Sequence, residues 1–269
     1  MTRPIITLTT DFGTADGYSA QMKGVILGIN ADVQLIDITH AVGPQDIERA
    51  SDVLADVVDS FPRQTIHLVV VDPGVGTDRR IVAVETEQRR FVAPDNGVLS
   101  AALARDPLRR GVEIDRAAVP SRTVSNTFEG RDVMAPVAAY WSLGRDPVEF
   151  GRPLGEPLRT SAIRAPRILD DRVIGQIIRQ DRFGNLITNI HESNLSDVDP
   201  GRLCLRIGAR SIDRLETCYA ARPPGMLLML IGSSGRLEIA VNGGSAADQL
   251  DAGVGTEVEL LLNRDANPS

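Results

Sequence analysis

The sequence predicts an α/β fold in two domains. An N-terminal, mostly parallel sheet flanked by helices is expected over residues 1–164, and a smaller C-terminal antiparallel β-barrel over residues 165–269. Three observations lead there. In the first part, short β-branched runs alternate with amphipathic helical patterns, the signature of βαβ units. From "RVIGQIIRQ" onward only short strand patterns remain, punctuated by Gly, Pro, Asp and Ser, as in small antiparallel sheets and barrels. Between the two, "GRPLGEPLRTSAIRAPRI" is rich in Pro, Gly and Arg without a period, and reads as a linker or crossover.

The elements follow in order. "PIITLTT" is a strand ending at Thr9 and Thr10, followed by an Asp11-Phe12-Gly13 turn and a helix from Tyr18 to Ile29 with Asp16 as its candidate cap. "VQLIDIT" is the second strand. "QDIERASDVLADVVDSF" places Ile47, Ala50, Val53, Leu54 and Val57 on one helical face. "TIHLVVV" is a third strand, with His67 a core histidine. "RIVAVET" and "RFVAP" form a strand pair, and "VLSAALA" and "VMAPVAAYWSLG" are helices. Later come the short strands "NLITNI", "RLCLRIG", "GMLLMLIG", "RLEIAVN" and "TEVELLL", and a frayed tail "NRDANPS".

Composition narrows the class. With 269 residues, 42% hydrophobic and 24% charged, the chain can bury a sizeable core. A net charge of −7 lacks the basic face that nucleic-acid binding needs and favours a small-molecule partner. Cys204 and Cys218 have no metal-ligand spacing and are expected as reduced, buried thiols. His40, His67 and His191 are scattered, so no metal site is expected. No apolar run approaches the ~20 residues of a membrane span, and "MTRPIITLTTDFG" lacks a signal-peptide core. A cytoplasmic protein without a membrane partner is expected.

Parallel sheets carry their sites at the carboxyl ends of strands. "VVVDPGVGTDRR" contains neither a P-loop nor a dinucleotide fingerprint. Pro73 and Gly74 turn the chain away and leave Asp72 at the open edge, as a site carboxylate or a turn residue. Asp11 ends the first strand in the same manner and can share that cleft. A carboxylate there suits the two hydroxyls of a ribose diol. "NTFEGRDVMAP" offers Glu129, and Arg131 with Asp132 as a helix-start ion pair. "QDRFGNLITNIH" places Asp181, Asn185 and Asn189 around a turn. Small residues in "GSSGRLEIAVNGGSAAD" allow backbone to approach a flat ligand. Phe12, Phe128 and Phe183 adjoin these stretches, either to stack on a base or to fill the core.

Taken in order, "TTDFGTADGYSAQMKG", "DITHAVGPQDI", "VVDPGVGTDRR", "VAPDNGVL", "TFEGRDVMAP", "DRFGNLITNI" and "LEIAVNGGSAAD" resemble the S-adenosyl-L-methionine (SAM) hydroxide adenosyltransferases, relatives of the fluorinating and chlorinating SAM enzymes. The resemblance spans nearly the whole chain. It implies an α/β domain plus a small β-barrel, a homotrimer with sites between subunits, and attack of water or hydroxide on C5′ of SAM to give adenosine and L-methionine. SAM is then the substrate and no cofactor is implied. Carried over by motif, Asp72 and Arg79 match two members of an Asp-Arg-His catalytic set. Asp11 matches a ribose ligand, Asp181 the group holding the methionine ammonium, and Ser233 a contact to the methionine carboxylate. Asn185 matches an adenine contact, with backbone near Asn242 and Gly243 completing the base site.

One position departs from the pattern. Related hydrolases read "TFHGRD", and Glu129 stands where they have the histidine. Arg79 is expected to keep Asp72 ionised. Two carboxylates side by side repel, so one of Asp72 and Glu129 is expected to have a raised pKa. Two alternatives follow: a SAM- or adenosine-binding protein whose turnover Glu129 has weakened, and a SAM halogenase. The paired carboxylates oppose the halide reading.

Overall fold

The computed structural model describes residues 3–121, 125–161, 165–195 and 199–262. The expected domain boundary after residue 164 and the frayed tail "NRDANPS" fall on residues outside the described ones. The chain divides into two compact units, Met1–Ile163 and Arg164–Ser269.

The first unit runs β1 (Ile5–Thr10), α1 (Tyr18–Ile29), β2 (Gln34–Thr39), α2 (Ile47–Val57), β3 (Ile66–Val70), β4 (Ile81–Glu85), β5 (Arg90–Pro94), α3 (Ser100–Arg105), β6 (Arg110–Ile114), α4 (Ala135–Ser142) and β7 (Gly151–Pro153). The sheet order is β2-β1-β3-β5-β4-β6-β7. The β2, β1, β3 and β5 strands are parallel. The β5–β4, β4–β6 and β6–β7 pairs are antiparallel. The sheet is therefore mixed, which corrects the mostly parallel expectation. The reason is local. Only residues 86–89 join β4 to β5, and a parallel crossover needs about a dozen residues or more. That short link closes on itself, with Thr86 N donating to Arg89 O at 3.0 Å and Arg89 N to Thr86 Oγ1 at 2.8 Å.

Alternation along β3 builds two cores. Leu68 and Val70 pack on one face with Ile6, Leu8, Met22, Ile26 and Met134. Val69 and the following Val71 pack on the other with Leu54 and Phe91. In α2, the Asp46 carboxylate accepts from Arg49 N at 2.9 Å as the cap, and Ala50 and Leu54 are fully buried. Asp16 does not cap α1, where Gly17 holds the cap position without a side-chain bond. A turn of π-helix, Gly130–Met134, precedes α4 and buries Asp132, Val133 and Met134.

His67 is fully buried, 2.8 Å from Thr7 Oγ1 and stacked on Phe91. Burial, reinforced by the charge of Arg89, pushes its pKa down to about 3.

The second unit runs β8 (Arg167–Ile168), β9 (Arg172–Gln180), β10 (Leu186–His191), β11 (Leu203–Ile207), β12 (Arg210–Asp213), β13 (Leu215–Glu216), β14 (Leu227–Ile231), β15 (Arg236–Val241), α5 (Ala246–Leu250) and β16 (Glu257–Leu262). Its nine-stranded sheet runs β12-β11-β16-β9-β10-β15-β14-β13, with β8 against β9. It is nearly barrel-shaped, antiparallel apart from the β13–β14 pair, and encloses Ile177, Leu186, Leu205, Ile239 and Leu260. Both cysteines are free thiols. Cys218 is exposed and Cys204 half-buried, against the expectation that both lie in the core. Among the described residues no helix is long and apolar enough to cross a membrane.

Candidate active site

The pairing of β1 with β3 sets Thr10 opposite Val70, so Asp11 and Asp72 leave adjacent parallel strands at one end of the sheet. A cavity of about 200 Å³ opens there. It is lined by Asp11, Phe12, Gln45, Val70, Asp72, Val75, Thr127, Phe128, Glu129 and Gly130.

Asp72 is held by its own turn. Its Oδ1 accepts from Gly74 N at 3.2 Å and from Arg79 Nε at 2.6 Å, and Oδ2 accepts from Arg79 Nη2. The pair is bidentate, the strong form of an arginine–carboxylate contact. The same Nη2 lies 2.5 Å from Glu129 Oε2. Glu129 Oε1 in turn receives Arg116 Nε, and Gly76 N approaches Oε2 at 3.5 Å. Charges thus alternate along Asp72, Arg79, Glu129 and Arg116. The first three side chains are about 95% buried, whereas Arg116 is 34% exposed.

Gly76 makes this convergence possible. Its φ of +80° suits glycine, and a Cβ there would lie 2.4 Å from the carbonyl oxygen of Asn126.

The electrostatics correct the expected carboxylate repulsion. Burial would push the Glu129 carboxyl up. The hydrogen bond from Arg116, with the charge and hydrogen bond of Arg79, outweighs it and holds Glu129 below the ordinary carboxylate value. Burial likewise opposes the charge on Arg79, yet Asp72 and Glu129 together raise its pKa and keep it protonated. Arg79 sits between the two acids, so they do not meet face to face. One donor is left over: Arg79 Nη1 is buried without a hydrogen-bond partner among the described residues.

Asp11 Oδ2 accepts from Gln45 N at 2.8 Å. Gln45 takes a left-handed φ of 63° to present that N–H. The Asp11 turn is anchored from behind by His40. Thr10 Oγ1 lies 2.8 Å from His40 Nδ1, Phe12 N donates to Thr10 Oγ1 at 3.3 Å, and Gly13 N to His40 O at 2.7 Å. Phe128 is 9% exposed and belongs to the core while also lining the cavity. Its ring meets Phe12 and Tyr18 edge-on, and Arg131 lies over it. Arg131 and Asp132 form the expected helix-start pair, at 2.7 Å.

In the second unit, Asp181 folds its turn. Its Oδ1 accepts from Phe183 N and Asn185 N at 2.8 and 2.9 Å, and Oδ2 from Asn185 Nδ2 at 2.9 Å. This turn meets the loop bearing Asn242 and Gly243 where Gly184 packs against Ser245. Asn242 Nδ2 donates to Arg222 O at 2.6 Å. Gly243 has a φ of +73° and open space around it. Phe183 is 77% exposed, a solvent-facing ring beside a polar turn. Ser233 is exposed in the β14–β15 hairpin, at the opposite end of β15 from Asn242.

Sequence reasoning missed Arg116 and Gln45. Arg116 lies in "EIDRAAVP" and belongs to no motif. The available signal was the demand for a cation that a buried Glu129 creates. Among the described residues no three His, Cys, Asp or Glu side chains cluster to hold a metal.

A mixed α/β unit with an arginine-braced carboxylate cavity at its strand ends, accompanied by a β unit, defines a two-unit α/β protein with a small-molecule site. The family model "SAM hydroxide adenosyltransferase N-terminal domain" matches residues 6–151, and "SAM hydroxide adenosyltransferase C-terminal domain" matches residues 175–259. The chain belongs to the SAM hydroxide adenosyltransferase family. It is 37% identical over 260 residues to the (R)-S-adenosyl-L-methionine hydrolase of Salinispora tropica, covering 96% of this chain and 97% of that one. With the (R)-S-adenosyl-L-methionine hydrolase of Thermus thermophilus it shares 36% identity over 266 residues, covering 96% and 100%. A fluorinase of Nocardia brasiliensis is more distant, 27% identical over 292 residues, with 96% and 97% covered. Among solved structures, an uncharacterized conserved protein of Thermotoga maritima superposes with a TM-score of 0.88 at 36% identity, covering 96% of this chain and 99% of that one.

Proposed function

We propose that this chain is an enzyme that hydrolyses SAM to adenosine and L-methionine by in-line attack of water on C5′. The observation that carries the reading is that Asp11, Asp72 and Glu129 line one cavity, with Arg79 bridging Asp72 and Glu129. The relatives named as SAM hydrolases support it.

The chemistry asks little of an acid. SAM carries a sulfonium, and methionine leaves as a neutral thioether that needs no proton. The enzyme must position a water, accept its proton and keep bulk solvent out. The Asp72 bonds to Gly74 and Arg79 leave a lone pair on Oδ2. That lone pair accepts the water's hydrogen bond and then its proton as the C5′–O bond forms and the C5′–S bond breaks. Arg79, through Nε and Nη2, joins Asp72 to Glu129 and steadies the accepting carboxylate. Glu129, held ionised, keeps Arg79 in place instead of serving as a base of raised pKa. Asp11 binds the ribose diol.

Asp181 is assigned to the methionine ammonium and Ser233 to its carboxylate. Asn185, Asn242 and Gly243 are assigned to adenine, with Phe128 and Phe183 as apolar contacts. No cofactor takes part. The protein is read as a cytoplasmic homotrimer with sites between subunits, each chain built of two domains divided at residue 164.

Incubating the purified protein with SAM and separating the products tests the reaction. Equal amounts of adenosine and methionine, unchanged by added chloride or fluoride, are expected. A 5′-halogenated nucleoside would establish the halogenase reading, and bound SAM without products the binding-protein reading.

A further inference from the structure

We infer that Arg116 is a positioning residue for this reaction, holding Glu129 as a fixed anion against Arg79 so that Arg79 keeps Asp72 aimed into the cavity. The inference rests on the hydrolase reading above.

Arg116 makes contacts on both halves of the site. Its Nε meets Glu129 Oε1, and its Nη2 donates to Thr77 O at 3.1 Å and Arg79 O at 2.9 Å. One guanidinium therefore ties the 72–79 turn to Glu129. The charge count explains why it is needed. Asp72, Arg79 and Glu129 alone leave one net negative charge in a buried place, which is costly. Nη2 of Arg79 touches both acids, so an uncompensated Glu129 would compete with Asp72 for it. Arg116 supplies the second cation and makes the set neutral.

Among the described residues, the charged groups against Glu129 are Arg79 and Arg116. From the 72–79 turn it faces Arg79 and Gly76 N, and from the segment after β6 it faces Arg116. Asp115 accepts from Ala117 N. Asp132 pairs with Arg131 and accepts from Ser125 N. Asp11, across the cavity, is bound to Gln45 N. The depressed pKa of Glu129 agrees with this arrangement.

The test is a double-mutant cycle with a titration. Arg116→Gln keeps a donor for the turn carbonyls and removes the charge. Adenosine release would be measured from pH 5 to 8 for the parent, Arg116→Gln, Glu129→His and the double variant. The Glu129 carboxyl would be titrated by carbon-13 NMR, its signal assigned by its loss in Glu129→Gln. In the parent background, Arg116→Gln should lower kcat about tenfold or more, with KM within a few-fold. Arg116→Lys should recover part of the loss. With histidine at 129 no counter-charge is required, so the same Arg116→Gln change should cost no more than about twofold. The Glu129 midpoint should rise in Arg116→Gln. Equal losses in both backgrounds, or an unmoved midpoint, would overturn the inference. If the parent releases no adenosine, the hydrolase reading fails, and the NMR midpoint decides by itself whether Arg116 holds Glu129.

Discussion

Arg79 Nη2 lies 2.5 Å from Glu129 Oε2, and the same nitrogen donates to Asp72. A single arginine nitrogen thus joins the site's two buried acids. That arrangement fixes the orientation of the Asp72 carboxylate and gives Glu129 a structural and electrostatic task.

Asp72→Asn separates these roles. The amide keeps the size of the side chain and loses the proton acceptor. Turnover should fall on the order of 10²–10⁴-fold, the usual contribution of a general base. SAM affinity by calorimetry should stay within a few-fold. Near-parental turnover would remove Asp72 from the chemistry.

Glu129→His should change the pH profile. The parent carboxyl is held below its ordinary value of 4.5, so it contributes no inflection above pH 5. An imidazole starts near 6.5 and is pushed lower by two adjacent guanidinium groups. The variant should lose activity as pH falls through roughly 5 to 6.5, where the parent has no such limb. Superimposable profiles of kcat/KM would contradict this account. The stability side carries a matching sign. Because the folded pKa of Glu129 is depressed, its contribution is present above the unfolded value of 4.5 and is lost as pH falls below it.

Much of the site was legible because it follows from strand ends. The runs before Asp11 and Asp72 marked β1 and β3, and parallel pairing brings their carboxyl ends together. The limits of α1 were legible from its pattern, although the cap was not, since Gly17 and not Asp16 occupies that position. The antiparallel half of the sheet was misread because buried strands carry the same apolar runs in either direction. Only the four-residue link between β4 and β5 distinguishes them. The state of Glu129 was misread for another reason. Repulsion between two acids can be argued from sequence, but its neutralisation depends on Arg116, thirteen residues away in another segment.

Gly76→Ala tests the convergence of the two loops. A Cβ would meet the Asn126 carbonyl oxygen at 2.4 Å, and the φ of +80° is unfavourable for alanine. Strain of this kind costs on the order of 1–3 kcal/mol. Thermal unfolding should show that loss, and turnover should fall with it because the turn carries Asp72 and Arg79. An alanine variant with parental stability and rate would show that the turn adapts freely.

His67→Gln tests the buried histidine far from the chemistry. His67 is fully buried and its pKa lies at about 3, against 6.5 when unfolded. The unfolded chain therefore binds a proton between these values that the folded chain refuses. Stability from this group is complete above pH 6.5 and declines as pH falls toward 3. At 1.36 kcal/mol per unit, the penalty reaches about 2 kcal/mol at pH 5. Glutamine does not titrate and can still bond Thr7 Oγ1, which lies 2.8 Å from His67 Nδ1. Loss of ring packing on Phe91 should lower the variant's stability at pH 7.5. Its stability should then fall less between pH 7.5 and 5 than the parent's, measured by urea unfolding at each pH. If both proteins lose equal stability over that interval, His67 is not the group that makes the fold acid-sensitive.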